Sequence, residues 1–316
     1  MINSNFNIWQ RNLTQTLSTP TETYICDRWI SGAGDGTTTV SRVAFGVGEK
    51  LPVTEIIGDP SPKFFYRHNQ TLGATSTNPI MAQRIESVRK GDDLDVTLTF
   101  YLRLTAGSTT VTPQVTQNFG TGGSPSAPVT VVGTVINPTG AFVQYTQTFT
   151  LPSISGKTLG TNGDDYLELR FLLSTGTTFT LDVAQAQLEN GQQFTEYEVV
   201  DPAVEIVQCQ RYYEKSYNID VVPGTVTVSG AVNDNVTLVA GLNVPTTYMQ
   251  FNVPKRATPT VTGISTSGVS GQWLLTTSVA TAIPTSIGTS GYSMTTTLTG
   301  IGTFIWFGHW TADSEL

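Results

Sequence analysis

The sequence predicts an all-β protein in which an N-terminal jelly-roll β-sandwich is followed by a short connecting helix and a second, smaller C-terminal β-sandwich. Three observations support this fold class. Apolar and polar residues alternate at every second position in several short segments. Stretches rich in Gly, Pro and Thr separate these segments, and helical periodicity is almost absent. Antiparallel strands with such connections are typical of two-sheet sandwiches of the jelly-roll kind.

Four segments of the N-terminal part have the alternation and length of strands. Residues 96–104 place five apolar side chains on one face and Thr, Tyr and Arg on the other. The same pattern recurs in residues 143–151 and 166–173, and residues 179–184 are a further predicted strand. We therefore expect a first domain over residues 1–200 whose strands are half-buried.

Two long segments rich in Gly, Ser and Asn, residues 118–127 and 155–169, open directly into alternating strands. A β-sandwich needs such segments to turn the chain around at its edge. Loops of this kind also carry binding residues more often than cores do, so both segments are places to look for function.

One helix is predicted, over residues 202–214. Asp201 has the side chain to cap its N-terminus, and Pro202 fits the first turn. The segment from Ala203 to Tyr213 contains neither Gly nor Pro. We interpret residues 201–215 as a connector between two domains.

A second domain is expected over residues 216–316, where the composition changes to Thr, Val and Gly. The short strands predicted there cover residues 224–231, 235–244, 248–253, 258–265, 272–281, 292–298 and 302–310. Because no fixed repeat period is present, a small sandwich is favoured over a β-helix.

The composition argues against several partners. Charged residues make up only 13% of the 316 residues, and the net charge is −8. No cluster of Lys and Arg is present to follow a phosphate backbone, so nucleic-acid binding is not expected. No stretch approaches the roughly 20 apolar residues of a membrane span, and membrane insertion is not expected either. The N-terminus has neither the basic start nor the apolar run of a secretion signal.

Two cysteines, Cys26 and Cys209, stand far apart in the sequence and form no metal-binding motif. We expect both to be small buried hydrophobic residues. The alternative is one disulfide bond between them.

No constellation typical of an enzyme is recognisable. His68 and His309 lie outside the known histidine motifs, which favours a structural role for both. In a strand the adjacent Asp164 and Asp165 would point to opposite faces, so they could not flank one glycosidic bond. The sequence therefore predicts a non-enzymatic protein with no catalytic residues and no cofactor. A structural calcium site made of Asn162, Asp164 and Asp165 is an alternative to turn formation, because calcium prefers hard oxygen ligands.

A set of short motifs follows in a fixed order: residues 5–11 (NFNIWQR), 27–29 (DRW), 83–86 (QRIE), 118–127, 155–169, 185–191 (QAQLENG) and 209–213 (CQRYY). In order and spacing the set resembles a module of tailed-bacteriophage fibre and virion proteins. The resemblance covers roughly the first two thirds of the chain. It implies a structural protein of a virion fibre, baseplate or head appendage, assembled in the bacterial cytoplasm and released by lysis, with other virion proteins as partners.

The jelly-roll domain is also similar to carbohydrate-binding modules, which implies attachment to a host-surface glycan. Two alternatives stay open: a capsid decoration or head-fibre protein without a receptor role, and a polysaccharide depolymerase or its accessory binding module. Tail fibres of this kind carry an N-terminal attachment region, whereas here the module begins at Asn5. We therefore expect direct docking on another virion protein.

Aromatic residues on or near loops are the candidates for stacking on sugar rings, with core packing as the alternative. They are Trp29, Tyr66, Tyr101 and Tyr166 in the first domain and Trp273, Tyr292, Trp306 and Trp310 in the second.

The resemblance further implies a homotrimer. In residues 304–310 the alternation leaves both faces of the predicted strand apolar, so one face is expected in a subunit interface. The candidate interface residues are Ile206, Val207 and Tyr213 of the helical segment and Phe307 and His309 of the strand.

Overall fold

The computed structural model describes residues 1–52, 62–238, 246–275, 278–296 and 302–316. The chain divides into two compact units. The first contains Met1–Asn7, Leu13–Val200 and Leu316, and the second contains Ile8–Asn12 and Asp201–Glu315. Both units are built from antiparallel strands, and the prediction of an all-β chain is confirmed.

The strands of the first unit are β1 (Thr14–Leu17), β2 (Thr23–Tyr24), β3 (Trp29–Gly32), β4 (Thr37–Ala44), β5 (Phe64–Leu72), β6 (Ile80–Glu86), β7 (Leu94–Gly107), β8 (Val111–Asn118), β9 (Val129–Val132), β10 (Val143–Leu151), β11 (Tyr166–Leu173) and β12 (Phe179–Asn190). A 3-10 helix, Val88–Gly91, joins β6 to β7. Sheet A has the order β1-β4-β5-β12-β7-β10, and sheet B has the order β2-β3-β6-β11-β8-β9. Because neighbours in space are often distant in sequence, the connections cross between the sheets as in a jelly roll.

The core of the first unit lies between the two sheets. On β7 Leu98, Phe100 and Leu102 are completely buried, as the pattern of residues 96–104 predicts. Thr97, Thr99 and Tyr101 on the opposite face are buried as well, so the prediction of a half-buried strand is wrong for this part of β7. The rings of Phe100 in sheet A and Phe171 in sheet B meet edge to face, with centroids 4.9 Å apart. Such aromatic contacts add to the burial that holds the sheets together.

The outer face of sheet A is covered by side chains of its own unit. Leu51 and Phe142 pack there on Phe65 and Tyr101, and all four are nearly inaccessible. Beside them, the carboxylate of Asp182 binds two arginines of the same face. This face is therefore mostly closed.

Helix α1 (Pro202–Gln210) begins where the sequence predicts. The side chain of Asp201 accepts a hydrogen bond from the N–H of Ala203 at 2.8 Å, and Pro202 occupies the first turn. The helix ends four residues before the predicted end at 214. Tyr213–Lys215 instead forms strand β13, because these residues pair with the last described strand of the unit.

The other strands of the second unit are β14 (Val232–Leu238), β15 (Thr246–Gln250), β16 (Thr260–Ile264), β17 (Gln272–Leu275), β18 (Ser278–Thr281), β19 (Ile283–Thr285), β20 (Gly291–Thr295) and β21 (Gly302–Asp313). Strand β21 pairs with β14 and β13 along one edge and with β17 and β16 along the other. A second sheet has the order β15-β20-β19.

The core of the second unit is aromatic. Trp273 and Trp306 meet edge to face with ring centroids 4.8 Å apart, and both are fully buried. Gly308 on β21 makes room for this packing, since a Cβ there would lie 2.3 Å from Cδ1 of Trp273. The close approach explains why this position of the strand has no side chain.

One predicted strand is absent from this unit. Residues 224–231 form turns, and Gly224 and Gly230 both have positive φ angles, which end an extended segment. Parts of three other predicted strands, 235–244, 272–281 and 292–298, lie outside the described residues.

Cys26 and Cys209 are buried and are not joined in a disulfide bond, as the sequence predicts. Among the described residues, no helix has the length and apolar composition needed to cross a membrane.

Candidate functional site

Most of the aromatic residues predicted to stack on sugars lie in the interior. Seven of them are at most 6% exposed: Trp29, Tyr66, Tyr101, Trp273, Tyr292, Trp306 and Trp310. A sugar cannot stack on rings that are enclosed by protein. These seven residues are therefore core residues, which was the alternative to sugar binding. The reason is their register, which turns each of them toward packed side chains and not toward solvent.

Several of these rings also use their polar atoms inside the protein. The indole N–H of Trp29 donates to the carbonyl of Asn3 at 3.0 Å. The hydroxyls of Tyr66 and Ser31 share a hydrogen bond of 2.6 Å, and burial raises the pKa of Tyr66 above its usual range. Internal hydrogen bonds of this kind are what allow large aromatic residues with a polar atom to be buried.

Tyr166 is the exception, because it lies half-buried on the outer face of sheet B. Its hydroxyl accepts a hydrogen bond from the side-chain amide of Asn118 at 3.1 Å. The guanidinium of Arg84 lies over its ring, 4.7 Å from the centroid. Desolvation raises the pKa of Tyr166, so the hydroxyl keeps its proton at neutral pH.

Four charged side chains follow Tyr166 along the same face. The carboxylate of Glu168 accepts hydrogen bonds from Nε of Arg84 at 3.0 Å and from Nε of Arg170 at 2.6 Å. Glu22, which precedes β2, pairs with Nη2 of Arg170 at 2.9 Å and with Nη2 of Arg84 at 3.3 Å. Each guanidinium is thereby fixed by two carboxylates while about a fifth of its side chain stays exposed.

A cavity of about 290 Å³ lies at the other end of this face. It is lined by Pro20, Glu22, Gly32, Gly34, Ser76, Thr77, Asn78, Ile80, Arg170 and Leu172. Arg170 and Glu22 belong both to the charged cluster and to the lining. The cavity therefore continues directly into the charged side chains.

The rim of the cavity is held by Asp35. Its carboxylate accepts hydrogen bonds from the backbone N–H groups of Thr75, Ser76 and Thr77 at 2.8 to 3.1 Å. It also accepts bonds from the hydroxyls of Thr75 and Ser76. These bonds, first that from the Thr75 hydroxyl, hold the pKa of Asp35 well below its usual range. At Gly34, whose φ is +60°, a Cβ would lie 1.9 Å from the carbonyl oxygen of Thr77.

We call these elements together the sheet B face: the cavity, the four charged side chains, Tyr166 and the polar residues beside them on β8. The register places Gln114 next to Arg170, Thr116 next to Glu168 and Asn118 next to Tyr166. Buried Ile30, Ile80 and Ala82 form an apolar floor near the cavity. All of the polar groups stand on paired strands or anchored loops, so their positions are set before any ligand arrives.

Of the predicted ligand residues, only Tyr166 belongs to the sheet B face. The sequence reasoning missed Arg84, Glu168 and Arg170. A signal for Glu168 and Arg170 was available in β11, because residues of the parity opposite to the buried Leu167, Leu169 and Phe171 must point outward. Nothing in the sequence shows that Glu22 and the loop at Ser76 approach the same strands.

The residues of the calcium alternative serve to fix loops. The carboxylate of Asp164 accepts from the N–H and the hydroxyl of Thr121, and that of Asp165 accepts from the N–H of Val88 at 2.8 Å. The side-chain amide of Asn162 donates to the hydroxyl of Thr121 at 2.9 Å. Over the described residues, no group of three or more His, Cys, Asp or Glu side chains is placed to hold a metal ion.

Of the predicted interface residues, Tyr213 and His309 are buried inside the second unit, at 6% and 0% exposure. Their surroundings explain this, since His309 stacks on Tyr217 with ring centroids 3.7 Å apart and Tyr213 lies under the guanidinium of Arg11. Val207 is 46% exposed, and Ile206 and Phe307 are half-buried. Only these three side chains reach a surface that another subunit could contact.

Comparison with known proteins gives distant similarities of structure. No family model matches the chain, and no curated protein matches it. A putative sugar-binding protein from Bacteroides thetaiotaomicron matches at 13% identity and a TM-score of 0.36, over 60% of this chain and 99% of that one. A family 11 carbohydrate-binding module from Clostridium thermocellum, solved with a mixed-linked tetrasaccharide, matches at 13% identity and a TM-score of 0.33, over 57% of this chain and 98% of that one.

The enzymatically active domain of tailspike protein 4 of bacteriophage CBA120 matches at 12% identity and a TM-score of 0.32. The match covers 60% of this chain and only 20% of the tailspike chain. At such identities and TM-scores, these similarities carry no conclusion about what the chain binds.

Proposed function

We propose that this chain is a non-enzymatic structural protein of a bacteriophage virion, in a fibre, baseplate or head appendage, and that it attaches to host-surface glycans through the sheet B face. The observation that supports glycan binding is the continuity of the face. An open cavity, two fixed guanidiniums and a half-exposed tyrosine follow one another on one rigid sheet. The virion setting is supported by the ordered motifs of the sequence.

The chemistry of the face suits sugars. A sugar ring presents an apolar C–H surface for an aromatic ring and a rim of hydroxyls for planar hydrogen-bonding groups. Tyr166 offers the former, and Arg170 and Gln114 offer the latter. Because Glu168 and Glu22 already orient the guanidiniums, little side-chain entropy is lost on binding.

Binding without cleavage is proposed because the acids of the face have another role. Glu22 and Glu168 both accept hydrogen bonds from the same two arginines. A glycosidase needs two carboxyl groups that stand on opposite sides of the scissile bond. Here the two carboxylates are used to position guanidiniums.

A single shallow site of this kind is weak, since one stacked ring contributes only about 1 kcal/mol. Useful attachment therefore requires several copies that act together, as in a trimer or on a particle with many copies.

The test is binding of the purified full chain to capsule and lipopolysaccharide extracted from the host, measured by calorimetry. We expect Tyr166→Ala and Gln114→Ala each to weaken binding about five-fold, which corresponds to about 1 kcal/mol. Thr105→Ala, an exposed change on sheet A, is the matched control and should bind as the natural chain does. Binding that both test variants retain in full would contradict the assignment of the face.

The virion setting has its own test. Antibodies against this chain, used to label purified virions in the electron microscope, should decorate an appendage. Particles that carry no label, from a lysate that contains the protein, would contradict the setting and leave the binding measurement unaffected.

A further inference from the structure

A second cavity of the first unit lies outside the sheet B face. It has a volume of about 330 Å³ and is lined by Arg89, Asp92, Ile154, Ser155, Lys157 and Leu159. Arg89 comes from the 3-10 helix after β6, and Lys157 comes from the loop between β10 and β11. This loop overlaps the segment 155–169 that the sequence singles out. The sheet B face uses Tyr166 and Glu168 of that segment but not the loop.

The two cations of this cavity differ from most others in the chain. Among the described residues, the side chains of Arg89 and Lys157 make no hydrogen bond and no ion pair. By contrast, Arg67, Arg84, Arg103 and Arg170 on the strands all bind carboxylates, as Arg67 binds Asp182 at 2.7 Å. In a chain with a net charge of −8, two cations that face one cavity without an acidic partner are a local excess of positive charge.

The one acid in the lining, Asp92, lowers the formal charge there from +2 to +1 and leaves an excess of positive charge. Oδ1 of Asp92 accepts a hydrogen bond from the backbone N–H of Ile154 at 2.9 Å and one from the hydroxyl of Ser153 at 3.3 Å. The carboxylate thus fixes the loop that carries Lys157.

Further bonds hold the two segments in place. The side-chain amide of Gln117 donates to the carbonyls of Gly91 and Pro152 at 2.6 and 2.7 Å, and so ties the 3-10 helix to the loop. The N–H of Val88 donates to the carboxylate of Asp165 at 2.8 Å, and the N–H of Lys157 donates to the carbonyl of Ile154 at 3.0 Å. The backbone that presents each cation is therefore anchored before a ligand binds.

We infer that this cavity is a binding site for an oxyanion: a carboxylate, sulfate or phosphate group. A guanidinium binds two oxygens of such a group in one plane, and an ammonium adds a point charge with three donors. Ser155 lines the same opening and adds a hydroxyl group to it. The group comes either from a free ion or from an acidic sugar of a polysaccharide, and the site is separate from the sheet B face.

The inference is tested by calorimetry on the full chain with three probes: inorganic phosphate, polygalacturonate and, as a neutral polymer, dextran. We expect saturable binding of phosphate, of polygalacturonate or of both, and at least ten-fold weaker binding by Arg89→Gln and by Lys157→Gln. Binding should also weaken as the salt concentration rises from about 0.05 to 0.5 M, because the pair is open to solvent.

Lys63→Gln is the matched control. It removes the same charge at an exposed position outside the cavity, and it should bind as the natural chain does.

Phosphate bound without polygalacturonate identifies a free ion as the ligand, and polygalacturonate bound without dextran identifies an acidic sugar. No saturable binding of either anion, or equal weakening by Lys63→Gln, would overturn the inference. Tyr166→Ala should leave phosphate binding unchanged, which separates the result from that of the glycan site.

Discussion

The guanidinium of Arg84 lies over the ring of Tyr166, 4.7 Å from its centroid, on the outer face of sheet B. The arrangement holds the one accessible ring among the predicted sugar-binding residues against a cation that is itself bound by Glu168. A disturbance of the charged cluster should therefore reach the aromatic part of the site.

Glu168→Gln should destabilise the first unit and weaken glycan binding together. The side chain of Glu168 is only 5% exposed and bonds two arginines, so the loss of its charge leaves both guanidiniums with Glu22 as the remaining carboxylate partner. Because the arginines are partly solvated, we expect a loss of about 1 to 2 kcal/mol in the free energy of unfolding. Urea denaturation and calorimetry measure the two effects. Glu196→Gln, at an exposed position, is the control, and a Glu168→Gln variant as stable as that control would refute the coupling.

Asp35→Asn should make the unit less stable at neutral pH but not in strong acid. Hydrogen bonds from the loop at Thr75 depress the pKa of Asp35, so its stabilisation is fully present above the ordinary value of 3.8 and is lost gradually as the pH falls from there toward the depressed pKa. The melting temperatures of the natural and variant chains should differ by a constant amount above about pH 5 and approach each other steadily as the pH falls below 3.8. A difference that persists at low pH would show that the carboxylate charge does not hold the rim.

His68 should make the first unit sensitive to mild acid. Burial lowers the pKa of His68 to about 4 from an ordinary value of 6.5. Between these values the unfolded chain takes up a proton that the folded chain does not, so stability is full above pH 6.5 and falls toward pH 4. The predicted loss is about 3 kcal/mol. Denaturation midpoints measured from pH 7 to 4 should have a shallower slope in His68→Gln, and an unchanged slope would contradict the prediction.

Trp273→Ala should strongly destabilise the second unit and should not remove a contact to a glycan. The ring is fully buried against Trp306, and its N–H donates to the carbonyl of His309 at 2.7 Å. Removal of such a side chain costs about 3 to 5 kcal/mol. Tyr248→Ala, at a position that is 64% exposed, should change the free energy of unfolding by less than about 0.5 kcal/mol. A stable Trp273→Ala chain that binds glycan less well would restore this ring as a ligand residue.

The predicted homotrimer is checked by native mass spectrometry at micromolar concentration. Helix α1 exposes Val204 at 50% and Val207 at 46%, three residues apart and so on neighbouring positions of one face. If this face is part of the interface, Val207→Asp should give monomers that keep the β-rich circular dichroism spectrum. A natural chain that is monomeric would end the trimer hypothesis.

The sequence predicted the fold where local pattern decides it. Alternation in residues 96–104 identified the buried face of β7, and Asp201 with Pro202 located the start of α1. Prediction failed where distant pairing decides, as at Tyr213, which the composition assigns to the helix and which β21 draws into a strand. Residues 224–231 have strand composition, yet their glycines turn the chain.

The candidate site was harder to predict, because residue type was a poor guide to position. Trp29 and Trp306 have the chemistry for stacking on sugars, but both are fully buried, because large apolar side chains gain the most free energy from burial in the core. The charged cluster depends on Glu22 meeting Arg84 and Arg170, residues that stand far apart in the chain and are brought together by sheet order alone.

Strand β21 sets the order in which the second unit can fold. Strands β13, β14, β16 and β17 all precede it in the chain and all use it as a pairing partner. During synthesis these strands leave the ribosome with that edge unsatisfied and must wait for the residues around Trp306 and Trp310. Contacts of such long range slow folding and expose strand edges to other chains in the meantime. The yield of folded protein when many copies are made in one cell would therefore depend on how quickly β21 pairs with the four earlier strands.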